Sequence, residues 1–157
     1  MTIIFAAGLA SVGFAAESYV GAAGQLILPQ GGGRLDLAGG AVVRAGTYLA
    51  EPFALEFEAG QTEKYTTLTV DGIFHLSGIY YYDYLFGFSR FDPFFSVGAR
   101  GWFDGDGRGE VGPKSGLGAF YHLSDHWSLR FDVDATLGLN GREEVDYTFS
   151  AGLQYFF

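Results

Sequence analysis

The stretch VDYTFSAGLQYFF (145–157) alternates in character from one residue to the next: Val145, Tyr147, Phe149, Ala151, Leu153, Tyr155 and Phe157 share one parity, and Asp146, Thr148, Ser150, Gly152, Gln154 and Phe156 share the other. A strand points successive side chains to opposite faces, so this segment reads as a β-strand with one apolar, aromatic face and one face that is mostly small or polar. WSLRFDVDATL (127–137) repeats the pattern, with Trp127, Leu129, Phe131, Val133, Ala135 and Leu137 set against Ser128, Arg130, Asp132, Asp134 and Thr136.

Working back along the chain, the same period predicts strands at roughly 113–123, 93–103, 66–76, 53–61, 37–49 and 18–28, an even number in all. PQGGGR (29–34), the stretch around Gln61 to Lys64, DGDGRGEVG (104–112) and GLNGREE (138–144) are glycine-rich or charged separators. Ala50-Glu51-Pro52 and Leu123-Ser124-Asp125 are short enough for hairpins. One end of the sheet thus carries longer polar loops and the other shorter turns. The exception is SGIYYYDYLFGFSR (77–90), an aromatic connection between the fourth and fifth strands.

Composition narrows the functions available. The chain has 157 residues, 18% aromatic, with 25 glycines, a formal charge of -9 and no cysteine. That excess of acid leaves no basic stripe for a nucleic-acid backbone. The absence of cysteine removes disulfides, thiolate metal sites and a cysteine nucleophile. After residue 16 no apolar run approaches the roughly 20 residues of a membrane-spanning helix. MTIIFAAGLASVGFAA (1–16), apolar and ending in small residues before Glu17, reads as a signal peptide without basic residues at its start, and a buried first strand or helix is the other reading. The barrel domain is then 17–157.

A soluble barrel and a membrane barrel can both have eight alternating strands, one turned inside out relative to the other. The polar face decides between them, because Gly21, Ala23, Gly46, Gly98, Gly116, Gly118 and Gly152 sit on it. Small side chains suit a crowded eight-strand interior. With that face inward, Val20, Ala22, Leu26, Val43, Ala45, Leu55, Phe57, Leu68, Val70, Phe74, Phe95, Val97, Leu117, Tyr121, Phe131 and Tyr155 face outward, a band that lipid accommodates. Closing the sheet removes both unpaired edges. The fold expected is all-β, an eight-stranded antiparallel up-and-down transmembrane β-barrel.

SYVGAAGQL (18–26), FDPFFSVGARGWF (91–103) and PKSGLGAFYHLSDHWSLRFDVD (113–134) resemble the first, fifth, and sixth and seventh strands of the small eight-stranded outer-membrane barrels of the OmpA and OmpX type. The end of the chain resembles the sorting signal of such barrels, carried by Ser150, Gly152, Tyr155 and Phe157. The resemblance implies a bacterial outer-membrane protein of a Gram-negative cell, surrounded by outer-membrane lipids and assembled by the barrel-assembly machinery.

Inward parity places Arg44, Glu56, Glu58, Asp71, His75, Arg100, Lys114, Arg130, Asp132, Asp134 and Asp146 in the lumen, too many charges to leave unpaired. With the turn centred near Glu51, Arg44 falls opposite Glu58, which predicts that salt bridge or its diagonal alternative with Glu56. Arg100 and Arg130 are expected as the other hubs, serving the acids of strands 4, 7 and 8. With three arginines and one lysine facing six acids, at least one carboxylate is neutral or solvated.

Three motifs could carry chemistry. His122-Leu123-Ser124, with Asp125 and His126, has hydrolase residue types but reads better as a turn. His75 lacks a second histidine at ligand spacing and reads as a hydrogen-bonding group. DGDGRGEVG has Ser115 where a calcium loop starting at Asp104 would need Glu. Among the aromatic residues near strand ends, Tyr19, Tyr48, Trp102, Phe103, Tyr121, Trp127 and Tyr147, those facing out suit interfacial girdles. The function expected is a non-enzymatic, monomeric barrel with a structural or surface-interaction role and a side-chain-filled lumen, without metal or cofactor. The alternatives are a narrow ion or small-solute channel, porin-like in action, and a lipid-modifying enzyme.

Overall fold

The computed structural model describes residues 17–29, 37–63, 65–76, 90–103, 109–138 and 145–157. The segment 1–16, the aromatic connection over 77–89, and most of the polar loops after the first, fifth and seventh strands lie outside the described residues. The strands are β1 (Ser18–Pro29), β2 (Ala38–Ala50), β3 (Phe53–Thr62), β4 (Thr66–His75), β5 (Phe91–Phe103), β6 (Gly109–His122), β7 (Trp127–Leu137) and β8 (Val145–Phe156). Each pairs antiparallel with its neighbour in sequence, and β8 returns to β1, closing the barrel. The seam is extended: Tyr19 faces Phe156 and Pro29 faces Asp146.

Two expected boundaries shift for one reason. Pro93 and Pro113 lack the ladder N–H and read naturally as strand starts, yet both lie inside strands, in register with Ala119 and Ala99. The acidic separator after β5 shrinks accordingly, since Glu110 already belongs to β6. The connection between β3 and β4 is also shorter than expected. Gln61 and Thr62 are in β3, and Thr62 N–H donates to the Tyr65 carbonyl at 2.8 Å, making a tight hairpin at the end where longer loops were anticipated.

Alternation sorts the side chains into two environments. Every residue of the outward band named above is exposed or half-buried, up to 67% for Leu117, while Arg100, Glu56 and Asp71 on the other face are each 1% exposed. An apolar exterior around a charged interior inverts the order of a water-soluble protein, as a lipid-embedded barrel requires. The interior has little spare room. A Cβ at Gly46 would come within 2.2 Å of the Tyr19 ring, and one at Gly118 within 2.3 Å of Phe94. Glycine is needed there so that the inward ring on the neighbouring strand can lie flat against the wall.

The lumen is layered. At the end where β1 starts and β8 finishes, Tyr19, Ala54, Ile73, Phe94, Phe120 and Phe156 pack into an apolar cluster with Tyr48 against it. The middle is ionic. Toward the opposite end the buried residues include Gln25, Ile27, Val42, Thr67, Trp102 and Thr136. Tyr19, Tyr48 and Trp102 therefore face the lumen rather than a membrane girdle, whereas Phe103, Tyr121, Trp127 and Tyr147 are exposed on the outer face.

Candidate functional site

The strand register decides which charges meet. Arg44 on β2 lies directly opposite Glu58 on β3, and its Nε donates to Glu58 Oε2 at 2.8 Å. The other Arg44 nitrogens reach the far wall: Nη1 is 2.9 Å from Asp132 Oδ2 on β7, and Nη2 donates to Ser150 Oγ on β8 at 2.7 Å. Ser150 passes the contact on by donating to Asp132 Oδ2 at 2.6 Å.

Arg130 projects from β7 and engages both oxygens of Glu56 on β3, with Nη2 3.0 Å from Oε1, while its Nε donates to Asp132 Oδ1 at 2.7 Å. In an eight-stranded barrel the third and seventh strands are diametrically opposed, so this fork spans the lumen. Arg100 on β5 joins Glu58 on β3 at 3.1 Å and Asp134 on β7 at 3.4 Å, and donates to Thr148 on β8 at 2.6 Å. Lys114 on β6 pairs with Asp71 on β4 and sits 3.2 Å from Asp134.

The β7 acids are served as expected, and the departures are on β3 and β4. Arg100 and Arg130 each take a carboxylate of β3 and one of β7, and Asp71 of β4 goes to Lys114 instead. The physical reason is reach. An arginine side chain is long enough to cross the narrow lumen of an eight-stranded barrel, so it meets the opposite wall as readily as the adjacent strand.

These contacts form one continuous sequence in which acid and base alternate: Glu56, Arg130, Asp132, Arg44, Glu58, Arg100, Asp134, Lys114, Asp71. All nine side chains are buried. A buried charge requires a partner and hydrogen bonds for its remaining donors and acceptors, and this arrangement supplies most of them. Asp146 is half-buried near the loop end of β8, in register with Thr136.

The ionic middle is coupled to the apolar end. The Arg130 guanidinium lies 4.7 Å from the Phe94 ring centroid and 5.2 Å from that of Phe120, both cation–π distances. His75, the last residue of β4, stacks on Phe120 at 5.4 Å with planes 11° apart, and its Nδ1 is 2.6 Å from Asp92 Oδ2. Asp92 was absent from the expected lumen set because it precedes Pro93. Continuing the even parity of Phe94, Ser96 and Arg100 back past that proline places it inside.

The residue types suited to hydrolysis do not converge. Ser124 Oγ accepts the Trp127 N–H at 3.2 Å and caps the turn between β6 and β7. His122 Nδ1 is 2.7 Å from Ser128 Oγ, but Ser128 is fully buried and so lacks the approach a nucleophile needs. Among the described residues no group of His, Cys, Asp and Glu is arranged to hold a metal ion.

The positions read as a sorting signal divide by face. Ser150 and Gly152 point inward, and a Cβ at Gly152 would stand 2.4 Å from that of Ala23 across the seam. Tyr155 and Phe157 lie on the outside, ring centroids 5.3 Å apart, with Trp127 4.9 Å from Tyr155.

No family model matches the chain, and no curated protein matches it in sequence. Solved structures do. The N-terminal β-barrel domain of Pseudomonas aeruginosa OprF is similar with a TM-score of 0.65 and 14% identity, over 90% of this chain and 97% of that one. The outer membrane protein OprG of the same organism gives 0.66 and 12%, over 90% and 96%. Ail, the attachment invasion locus protein of Yersinia pestis, gives 0.62 and 12%, over 90% and 99%. The fold is that of the small eight-stranded outer-membrane barrels.

Proposed function

We propose that this chain is a bacterial outer-membrane barrel whose role is structural or surface-interacting, without enzymatic activity. The observation that carries the reading is the sequence of ion pairs tying β3 to β7 across the lumen, with an aromatic layer beneath it. Charges paired in this way fill the space a solute would need. The outward apolar band supports insertion among outer-membrane lipids, and the barrel is read as a monomer. In the same reading, residues 1–16 are a signal peptide, and the barrel-assembly machinery recognises the last strand through Tyr155 and Phe157. Any contact with partners then falls to the loops.

Two measurements test this reading. The protein extracted from the outer-membrane fraction is run unheated and boiled, with a faster-migrating unheated band expected for a closed barrel. The refolded barrel is then placed in a planar bilayer, where no sustained conductance steps are expected. Steady steps would replace the structural role with a narrow ion channel. A change in lipid A mass on incubation with the barrel would replace it with a lipid-modifying enzyme.

A further inference from the structure

The ionic sequence begins and ends on a carboxylate, so it holds one more negative charge than positive. Its two ends meet, since Glu56 on β3 is in register with Asp71 on β4. They are not equivalent. Both oxygens of Glu56 are engaged by Arg130. Asp71 is 1% exposed and has a single cationic neighbour, Lys114, which it shares with Asp134, and its Oδ1 has no hydrogen-bond partner. That oxygen lies over Gly98, where a Cβ would stand 2.3 Å from it, so the missing side chain on β5 makes the space it occupies.

The charged groups around Asp71 come from every packed wall: Glu56 and Glu58 from β3, Arg100 from β5, Lys114 from β6 and Asp134 from β7. Asp132, Glu58 and Asp134 each have two cationic neighbours, and Glu56, which like Asp71 has a single shared one, has both of its oxygens engaged by it. We infer that Asp71 is a binding site for one monovalent cation, at its smallest a proton, which closes the alternation between the two carboxylate ends. A single positive charge neutralises the network, whereas a divalent ion would overshoot it. The site is a resting place for a charge inside a filled lumen, and it holds whether or not the lumen conducts.

The test uses the full barrel refolded in phosphatidylcholine vesicles. Infrared spectra in sodium- and potassium-free choline buffer at neutral pH are compared between wild type and Asp71→Asn. A protonated-carboxyl carbonyl band present in wild type and lost in the variant assigns the charge to a proton. A saturable rise in the folded fraction with sodium or potassium at constant ionic strength, lost in Asp71→Asn, assigns it to an alkali ion. Asp71→Asn is expected to keep the wild-type folded fraction, because the amide oxygen still accepts from Lys114 and four cations then face four carboxylates. Asp134→Asn, which removes a charge shared by Arg100 and Lys114, is expected to lower it. Absence of both the band and the ion dependence in wild type overturns the inference. So does an Asp71→Asn barrel that unfolds where Asp134→Asn is tolerated.

Discussion

Arg130 on β7 grips both carboxylate oxygens of Glu56 on β3, two residues 74 apart in sequence and on opposite walls of the barrel. A bidentate fork is the strongest form of this pair, and here it also holds the lumen at fixed width. Its guanidinium is shared with Asp132 and rests against Phe94 and Phe120, so one side chain links the ionic and aromatic layers.

Removing Arg130 strands Glu56 in a buried site and leaves Asp132 with Arg44 as its remaining cation. Arg130→Ala is expected to destabilise the barrel by about 3–5 kcal/mol, the usual cost of breaking a buried pair from one side. Adding Glu56→Gln to that variant is expected to recover part of the loss. Urea titration of the unheated gel band for the two single variants and the double variant measures the coupling, and additive losses would show that the fork contributes nothing specific.

Interior and exterior glycines are expected to respond oppositely. Gly118→Ala drives a methyl into the Phe94 ring and the Phe131 carbonyl, 2.3 and 2.6 Å from its Cβ, for a loss of about 1–3 kcal/mol. Gly24 faces outward with nothing within 4 Å of a Cβ, so Gly24→Ala is expected to be neutral or to stabilise by about 0.5–1 kcal/mol through reduced chain entropy. Denaturant midpoints of the refolded proteins decide the matter.

On the outer face, the sign of a charge substitution reports the solvent. Leu117, 67% exposed, sits midway along β6 between Phe95 and Val133. Leu117→Arg is expected to cost about 2–4 kcal/mol in a bilayer, the penalty for a cation near the midplane of a transmembrane barrel. Unfolding from lipid vesicles measures it. A neutral result would mean that water rather than lipid meets this face.

The last strand separates stability from assembly. Ser150→Ala removes the hydroxyl between Arg44 and Asp132, and a loss of about 1.5–3 kcal/mol is expected for a hydrogen bond to charged groups. Phe157→Ala leaves an already exposed position and is expected to refold with unchanged stability in vitro while reaching the outer membrane in reduced amount. Equal losses of both properties in both variants would remove the distinction.

The period-two pattern by itself determined the strands and their number, because each strand is long enough for alternation to repeat several times. It also determined which face is inside, because glycines cluster with charges on one parity and a narrow barrel has room for little else. The same rule placed Arg44, Arg100 and Arg130 on the inner wall and Arg44 opposite Glu58 across a short turn, since neighbouring strands share a local register. It does not reach the partners of Arg130 or Lys114. Those depend on how far each strand is staggered around the closed sheet and on side chains long enough to cross it, and both are properties of closure. Only the tertiary structure shows that Asp71 ends the ionic sequence with one oxygen lacking a hydrogen-bond partner, because that follows from the whole circuit of contacts and from the space over Gly98 on the adjacent strand.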